Sequence, residues 1–396
     1  MDHNYLGALE KFRAQIPLRI TSEFINAATY QIDHVDAHLG YQAQEKFHAA
    51  KRWTEAVKNK EFTWLGLAGA ATPVGLGGLL ADAMSRGLID AIVTTGANAF
   101  HDLHFAFGLP VRHGSPHCDD EKISKDEITR IYSQFIHNKY TLKLQDMIVQ
   151  EYGRKIFSRL KPPFSTATFL YELGKEMLND KSGSVIDKKG SFIVRAAEYD
   201  VPVFLNSGSN HSLAMDFLPL FIEGYHVDTS PTQDILEASA ITIWTQPQVN
   251  IFMGEGDPRN FIQTAAPTAS EISYIPFHGS EACIRFTTAD ERTGGLSGSG
   301  KSEARTWGKY KDTRNEIVVW GEYTLTAPTV IAYVAGHAKK EPSRLMKKRE
   351  KILDDFLKIV RQYEPKRKKE QEKLKSIQKI IAENEKQARQ QAGYKF

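Results

Sequence analysis

The segment around Lys309 has the residue types needed for amine chemistry. A lysine can form an imine only as the neutral amine, and an apolar, water-poor pocket lowers its pKa enough to free the lone pair. Trp307 lies two residues before Lys309 and Glu303 six residues before it, within a glycine-rich stretch. Simple packing of Trp307 would also explain this pattern, so the segment by itself predicts only a candidate site.

Residues 295–302 (GLSGSGKS) match the phosphate-loop pattern G-x-x-x-x-G-K-[ST]. A phosphate loop leaves a buried strand directly and opens a long helix whose N-terminus meets the phosphates. Here residues 290–292 (DER) separate the loop from the preceding predicted strand, and Gly308 interrupts the following helix. A flexible glycine loop is the favoured interpretation, and a nucleoside triphosphate site that uses Lys301 is the alternative.

A local cluster of potential metal ligands consists of His101, His104, His113, His117 and Cys118. His101 and His104 are three residues apart on a predicted helix, which suits metal ligation, but the spacing matches no zinc module. The neighbouring Asp102 and Asp119 offer hydrogen-bond partners instead. We therefore predict no metal site.

Three loops rich in small residues follow predicted strands, at residues 66–71, 94–97 and 254–256. Small residues allow a ligand to approach the backbone closely. Since the carboxyl ends of parallel strands meet at one edge of a sheet, these loops predict a cofactor crevice there.

Short apolar runs that alternate with helical patterns predict an α/β fold, with a doubly wound, mostly parallel sheet and helices on both faces. The predicted strands are at residues 61–67, 89–95, 201–206, 249–253, 282–287 and 316–320. Residues 120–180 are predicted to be largely helical.

The composition changes near residue 339. Residues 339–396 contain 19 Lys and Arg against 9 Asp and Glu, whereas the rest of the chain is net acidic. Apolar residues on one helical face predict a long amphipathic helix pair, interrupted at Pro365, or an extension that packs on a neighbour. We therefore divide the chain into an α/β domain, 1–338, and a basic helical extension, 339–396. The run 366–369 (KRKK) favours a solvated helix face over contact with nucleic acid or anionic lipid, because no aromatic residues interleave with it.

The composition of the 396 residues, with 41% apolar and 25% charged residues, is typical of a globular protein. Two cysteines exclude a disulfide framework and favour a reducing, cytoplasmic compartment. The uncharged stretch 66–81 is broken by glycines and Pro73 and does not provide the roughly 20 apolar residues that a membrane span needs. The acidic body favours a cationic substrate over nucleic acid.

Five segments in order resemble deoxyhypusine synthase and its bacterial deoxyhypusine-synthase-like and homospermidine-synthase-like relatives. They are residues 40–43 (GYQA), 92–98 (IVTTGAN), 201–204 (VPVF), 254–261 (GEGDPRNF) and 303–309 (EARTWGK). The likeness runs from about residue 35 to 338. It implies a Rossmann-like NAD enzyme, usually a homotetramer with its sites between subunits.

The resemblance also implies the chemistry. Hydride passes from a polyamine such as spermidine to NAD, and an aminobutyl group passes as an imine to Lys309 and then to an acceptor amine. Trp307 would exclude water and hold an alkylammonium group by cation–π attraction, worth about 0.5–2 kcal/mol, and Glu303 would neutralise one ammonium. The implied substrate contacts are His101, Asn210 and Asp216. The implied cofactor contacts are Gly69, Thr72, Thr95, Gly96, Ala97, Gly254, Gly256, Thr288, Ala289 and Glu322.

Several carboxylates of the family pattern are replaced. Asn210 and His101 stand at acidic positions, and two aspartates fall on Thr293 and Leu296. Fewer carboxylates hold a polycation more weakly, so the donor and the acceptor amine stay open. The alternative is a catalytically altered or inactive member that acts as an oligomeric binding or structural protein through its helical extension.

Overall fold

A computed structural model describes residues 6–206, 211–292, 294–311 and 315–392. Within these ranges the strands are β1 (Phe62–Leu67), β2 (Ala91–Thr94), β3 (Val111–His113), β4 (Ile128–Ile131), β5 (Gln134–His137), β6 (Val203–Leu205), β7 (Gln248–Met253), β8 (Ala282–Thr287) and β9 (Glu316–Trp320). The α-helices are α1 (Ser22–Tyr30), α2 (Tyr41–Lys58), α3 (Gly77–Ser85), α4 (Gly96–Ala106), α5 (Asp120–Lys125), α6 (Leu144–Phe157), α7 (Thr166–Leu178), α8 (Phe192–Glu198), α9 (Ser212–Ile222), α10 (Pro231–Trp244), α11 (Asp257–Pro267), α12 (Lys301–Thr306), α13 (Tyr323–His337) and α14 (Leu345–Gln391).

Six parallel strands form the central sheet in the order β6-β2-β1-β7-β8-β9. The chain winds outward from β1 in one direction and returns through β7 to continue in the other. This is the doubly wound order, whose switch point lies between β1 and β7. The predicted fold class is confirmed, and each of the six strands predicted in this region is present.

Helices cover both faces of the sheet because its strands are apolar on both sides. All six residues of β1, of β7 and of β8 are buried. One face packs Leu65 and Ile284 into a large core that includes Trp53 of α2 and Val330 of α13. The other face packs side chains such as Trp64 against α10, α11 and α14. Two buried faces explain why these strands are predominantly apolar rather than strictly alternating between apolar and polar residues.

A second, antiparallel sheet has the order β3-β5-β4. Residues 120–180 are largely helical, as predicted, with α5, α6 and α7, but the hairpin β4–β5 within them was not expected. The strands of this sheet have only three or four residues, too short for a clear alternating pattern. Val111 and Ile136 pack with Phe105 of α4 in a small separate core, so tertiary contacts stabilise this sheet.

The C-terminal extension is one continuous helix of 47 residues, α14, rather than the predicted pair. Pro365 lies inside it without ending it. The proline removes one backbone hydrogen bond, and water can satisfy the freed carbonyl because this part of the helix is largely exposed. Leu345, Ile352 and Phe356 are buried in the core beside α10. The division of the chain at residue 338 stays a prediction.

Farther along α14, the apolar residues Leu374, Ile377, Ile380 and Ile381 are exposed. None of the described helices is both long and apolar enough to cross a lipid bilayer.

Candidate active site

A tight reversal after α12 holds Lys309 beside the sheet. Gly308, with φ +69°, turns the chain back, and the backbone of Lys309 and Lys311 pairs with Ser280 just before β8. Gly279 permits this approach, since a Cβ on it would lie 2.6 Å from the Lys309 carbonyl carbon. Tyr310 is buried and its hydroxyl bonds to Gln263 and Cys283. The base of Lys309 is therefore fixed.

Lys309 opens into a cavity of about 500 Å³ that Glu303 and Trp307 also line. The structure thus brings the three predicted catalytic residues to one cavity. The Lys309 Nζ donates a hydrogen bond to the Asn260 Oδ1 at 3.3 Å. The other lining residues are Thr264, Pro267, Glu291, Gly294, Gly295, Leu296, Gly298 and Ser299.

The surroundings of Lys309 favour its neutral form. Burial lowers the pKa of the amine, and the positive charge of Arg259 lowers it further, while Glu303 partly opposes both. A lowered pKa increases the fraction of amine that carries a free lone pair. This is the property that imine formation requires.

Trp307 is 61% exposed, so it lies at the mouth of the cavity and does not enclose Lys309. The desolvation of Lys309 in this chain comes from the surrounding protein, with Asn260 in contact with the amine. The water-excluding role predicted for Trp307 is not provided within the single chain.

The small-residue loops lie at the carboxyl edge of the sheet. Gly69 follows β1 and Gly254 follows β7, both with positive φ, and both lie against the ring of Tyr323. An added Cβ would come within 2.9 Å of Tyr323 at Gly69 and 3.1 Å at Gly254. Gly256 also has a positive φ. The remaining predicted cofactor residues at this edge are Ala97 after β2, Thr288 and Ala289 after β8, and Glu322 after β9.

Four predicted cofactor residues have structural partners. Thr72 is fully buried and donates to the Asn98 carbonyl, and Thr95 caps α4. Gly96 makes room for His211, because a Cβ there would lie 2.0 Å from the imidazole. Glu322 caps α13 by accepting from the Thr324 N–H at 2.9 Å. These contacts hold the loops in place.

The two described residues among the predicted substrate contacts, His101 and Asp216, do not line the Lys309 cavity. The His101 Nδ1 bonds to the His104 Nε2 at 2.9 Å, and burial lowers the pKa of His101 to about 4. Asp216 is 3% exposed and faces Gln150 of α6. Burial, together with the charge of Asp146, raises its pKa to about 8. Asn210 lies outside the described residues.

A second cavity, of about 690 Å³, adjoins the first. Asn260 and Thr264 of α11 line both, and the second is also lined by Asp234 and Asp257. No local sequence pattern indicates this cavity, because its wall combines α10, α11 and the end of β6.

The loop at 295–302 does not have the arrangement of a phosphate cradle. The carbonyls of Ser297 and Ser299 accept hydrogen bonds from buried arginines. The Glu291 carboxylate lies over Gly300, where a Cβ would be 2.8 Å from its Oε2. A carboxylate in this place repels a phosphate, and α12 has only six residues. The loop forms a wall of the Lys309 cavity.

Among the residues described, no group of three or more His, Cys, Asp or Glu side chains is arranged to hold a metal ion. His101 and His104 bond to each other, and His104 also bonds to Gln145.

The sequence comparisons agree on one family. The family model for deoxyhypusine synthase matches residues 32–334. A deoxyhypusine synthase-like protein from Nostoc punctiforme is 30% identical over 302 residues, which cover 74% of this chain and 76% of the relative. Probable deoxyhypusine synthase 2 from Methanosarcina mazei is 29% identical over 337 residues, covering 82% and 93%.

The fold has a similar counterpart among solved structures. A crystal structure from Entamoeba histolytica, assigned as a deoxyhypusine synthase, aligns with a TM-score of 0.51 at 15% identity. The alignment covers 80% of this chain and 94% of that chain. At this identity the likeness concerns the fold.

Proposed function

Because the chain belongs to the deoxyhypusine synthase family, we propose that it transfers an aminobutyl group from a polyamine such as spermidine to an acceptor amine through an imine on Lys309. The observation that carries this proposal is the half-buried Lys309, whose lowered pKa and contact with Asn260 prepare a neutral amine. Glu303 in the same cavity offers a negative charge to an alkylammonium group.

The residues at the carboxyl edge of the sheet fit a dinucleotide. Gly69 and Gly254 lie at the switch point with positive φ and no side chain, and the neighbouring Ala97 and Thr288 are small and exposed. NAD bound there would accept hydride from the donor amine and return it after transfer. We propose Gly69, Gly254, Gly256, Ala97 and Thr288 as its contacts, with Thr72, Thr95, Gly96, Ala289 and Glu322 shaping the loops.

Both transfer steps at Lys309 take place at the same atom, the imine carbon of the aminobutyl group. The neutral Lys309 Nζ attacks the imine carbon of the oxidised donor and forms a new carbon–nitrogen bond. The bond from that carbon to the departing amine then breaks, and the proton lost by Nζ leaves with that amine. The acceptor amine next attacks the Lys309 imine in the same way and frees Lys309. Asn260 orients Nζ throughout by accepting its N–H.

Borohydride trapping tests the proposal. The protein is incubated with NAD and spermidine, reduced with borohydride, digested and mapped by mass spectrometry. We expect an adduct on the Lys309 peptide in the wild type and none in Lys309→Ala. Lys311→Ala is the matched control, because Lys311 is exposed and pairs with Glu281 at 2.8 Å. Full transferase activity in Lys309→Ala would refute the imine mechanism.

We also propose that the enzyme works as a cytoplasmic homotetramer in which a neighbouring subunit covers Trp307. The exposed Trp307 at the mouth of the cavity supports this. Light scattering on the purified protein measures the assembly directly, and a stable monomer with full activity would contradict it.

A binding or structural role is the second candidate, and the exposed apolar residues Leu374, Ile377 and Ile381 of α14 favour it. It predicts no NAD binding by calorimetry and an oligomer that dissociates when residues 342–396 are removed. An unchanged oligomer after truncation would argue against it.

A further inference from the structure

Four charged side chains are buried beneath the glycine-rich wall of the Lys309 cavity. Arg259 is 2% exposed, Arg285 1%, Glu255 0% and Glu316 9%. Burying a charge costs several kcal/mol unless partners compensate it. Two cations and two anions in contact meet this condition, so the group is a built network rather than surface charge.

Arg285 is held between the two carboxylates. Its Nη2 donates to the Glu255 Oε2 at 3.1 Å and its Nη1 to the Glu316 Oε1 at 3.0 Å. Its Nη2 also lies 3.2 Å from the Ser297 carbonyl oxygen. Glu255 is additionally held by the Thr287 hydroxyl at 3.1 Å. Arg285 therefore forms the base of the network, in the middle of the buried strand β8.

Arg259 directs its hydrogen bonds mainly to the loop. Its Nη2 donates to the Ser299 carbonyl at 2.8 Å and its Nη1 to the Ser297 carbonyl at 3.4 Å. Its distance to the Glu255 carboxylate is longer, 3.6 Å. One planar guanidinium thus spans two carbonyls of the same loop, which a lysine ammonium cannot reproduce with the same geometry.

Arg259 is also connected to the Lys309 amine, through the neighbouring residue Asn260. Arg259 directly precedes Asn260 on α11, and Asn260 accepts from the Lys309 Nζ. Ser299, which Arg259 holds, lines the Lys309 cavity. Among the side chains that the structure describes, the charged groups around the amine are Glu291 on the loop, Glu303 on α12 and Arg259 on α11. Of these, Arg259 is the positive one.

We propose that Arg259 is a positioning residue for Lys309: it fixes the wall formed by Ser297 and Ser299 and sets Asn260 against the amine. The inference rests on the function proposed above, since it assigns a task in presenting a reactive Lys309. The positive charge of Arg259 also favours the neutral amine. The segment that matches a phosphate loop is thereby explained as a wall bound through its carbonyls.

The test measures Lys309 without requiring transfer. Competitive labelling with acetic anhydride, followed by mass spectrometry of the Lys309 peptide, gives the amine's reactivity across pH. Arg259→Met removes charge and hydrogen bonds, whereas Arg259→Lys keeps the charge alone. Arg292→Met is the matched control, because the Arg292 side chain is 90% exposed and pairs with Asp290.

In Arg259→Met we expect the Lys309 titration to move to higher pH, so that labelling near pH 7.5 falls about threefold to tenfold. In Arg259→Lys we expect a titration near that of the wild type but slower borohydride trapping, because one ammonium cannot hold both carbonyls. Arg292→Met should leave both measurements unchanged.

The inference would be overturned if Lys309 titrated, and was trapped by borohydride, in both Arg259 variants as it is in the wild type. An Arg259→Met variant that only has a lower melting temperature, while its folded fraction labels normally, would also overturn it. Should Arg259→Met fail to fold, Arg259→Lys decides through its trapping rate and its titration. Failure of the proposed function looks different: Lys309 would label and titrate as described, but spermidine and NAD would leave no adduct in the wild type. In that case the shift in labelling still decides the role of Arg259.

Discussion

Lys340 attaches the C-terminal segment to the amino end of the central sheet, and Lys340→Met tests the strength of this attachment. The Lys340 Nζ lies 2.6 Å from the Asp90 Oδ2 and also donates to the Glu61 carbonyl. The side chains are 8% and 1% exposed. After the substitution, Asp90 keeps the Thr63 N–H at 2.8 Å but has lost its cation.

Removing one partner of a buried ion pair costs about 3–5 kcal/mol, because the other charge stays buried without compensation. We expect a loss of this size in the free energy of unfolding. In Asp90→Asn/Lys340→Met no charge is left behind, so the double variant should recover most of the loss. Burial already raises the pKa of Asp90, and removing Lys340 raises it further. A raised carboxylate pKa means that the folded state binds more protons, so the loss should shrink as pH falls, by up to about 1.4 kcal/mol per pH unit.

Urea unfolding followed by circular dichroism and tryptophan fluorescence measures these differences, provided the two transitions coincide. Lys339→Met is the control, since Lys339 is exposed. A loss below about 1 kcal/mol in Lys340→Met, or a double variant no more stable than the single one, would show that the pair does not hold the segment.

Three further predictions concern packing and pH. Gly96→Ala should destabilise the fold by about 1–3 kcal/mol, because the new methyl meets His211, whereas Gly294→Ala, with open space, should change the melting temperature little. Phe356→Ala should lower the free energy of unfolding, measured by urea titration, by about 3–5 kcal/mol, because it leaves a cavity under α14. Ile380→Ala, on the exposed half of the helix, should lower it by less than about 0.5 kcal/mol. Asp216 has a raised pKa in the folded state, about 8, so its contribution to stability is present at low pH and is lost as pH rises from 4 to 8. Asp216→Asn should therefore flatten the pH profile of the melting temperature, and an unchanged profile would contradict the burial argument.

The sequence was most informative where one physical pattern dominates. Strands of a parallel sheet that is covered on both faces are rich in apolar residues on both sides, so β1, β7 and β8 stand out as short, predominantly apolar segments. The hairpin β4–β5 was missed because its strands are short and depend on contacts with distant residues. The break predicted at Pro365 was wrong because an exposed helix can lose one backbone hydrogen bond to water.

The candidate site was predictable only in part. Glu303 and Trp307 are four residues apart and are followed by Lys309, so local geometry alone brings them to one cavity. His101 bonds to His104, which in turn bonds to Gln145 of α6. Asp216 faces Gln150 of the same helix, and no local pattern encodes these contacts with α6. Arg285 could have been noticed, because a charged residue inside an otherwise apolar strand requires a buried partner. Its partners Glu255 and Glu316 come from distant segments and emerge only from the fold.

Because α14 is one continuous helix, a small change of its angle at the packed end produces a large displacement at its far end. Phe356 is the last buried aromatic residue of the helix, and from there to Gln391 the helix extends about 52 Å at 1.5 Å per residue. If this part of α14 tilted by about 10° at Phe356, its end at Gln391 would move by roughly 9 Å. Small adjustments in how Phe356 and the neighbouring Ile359, Val360 and Tyr363 pack on the core are thus magnified at the far end of the helix.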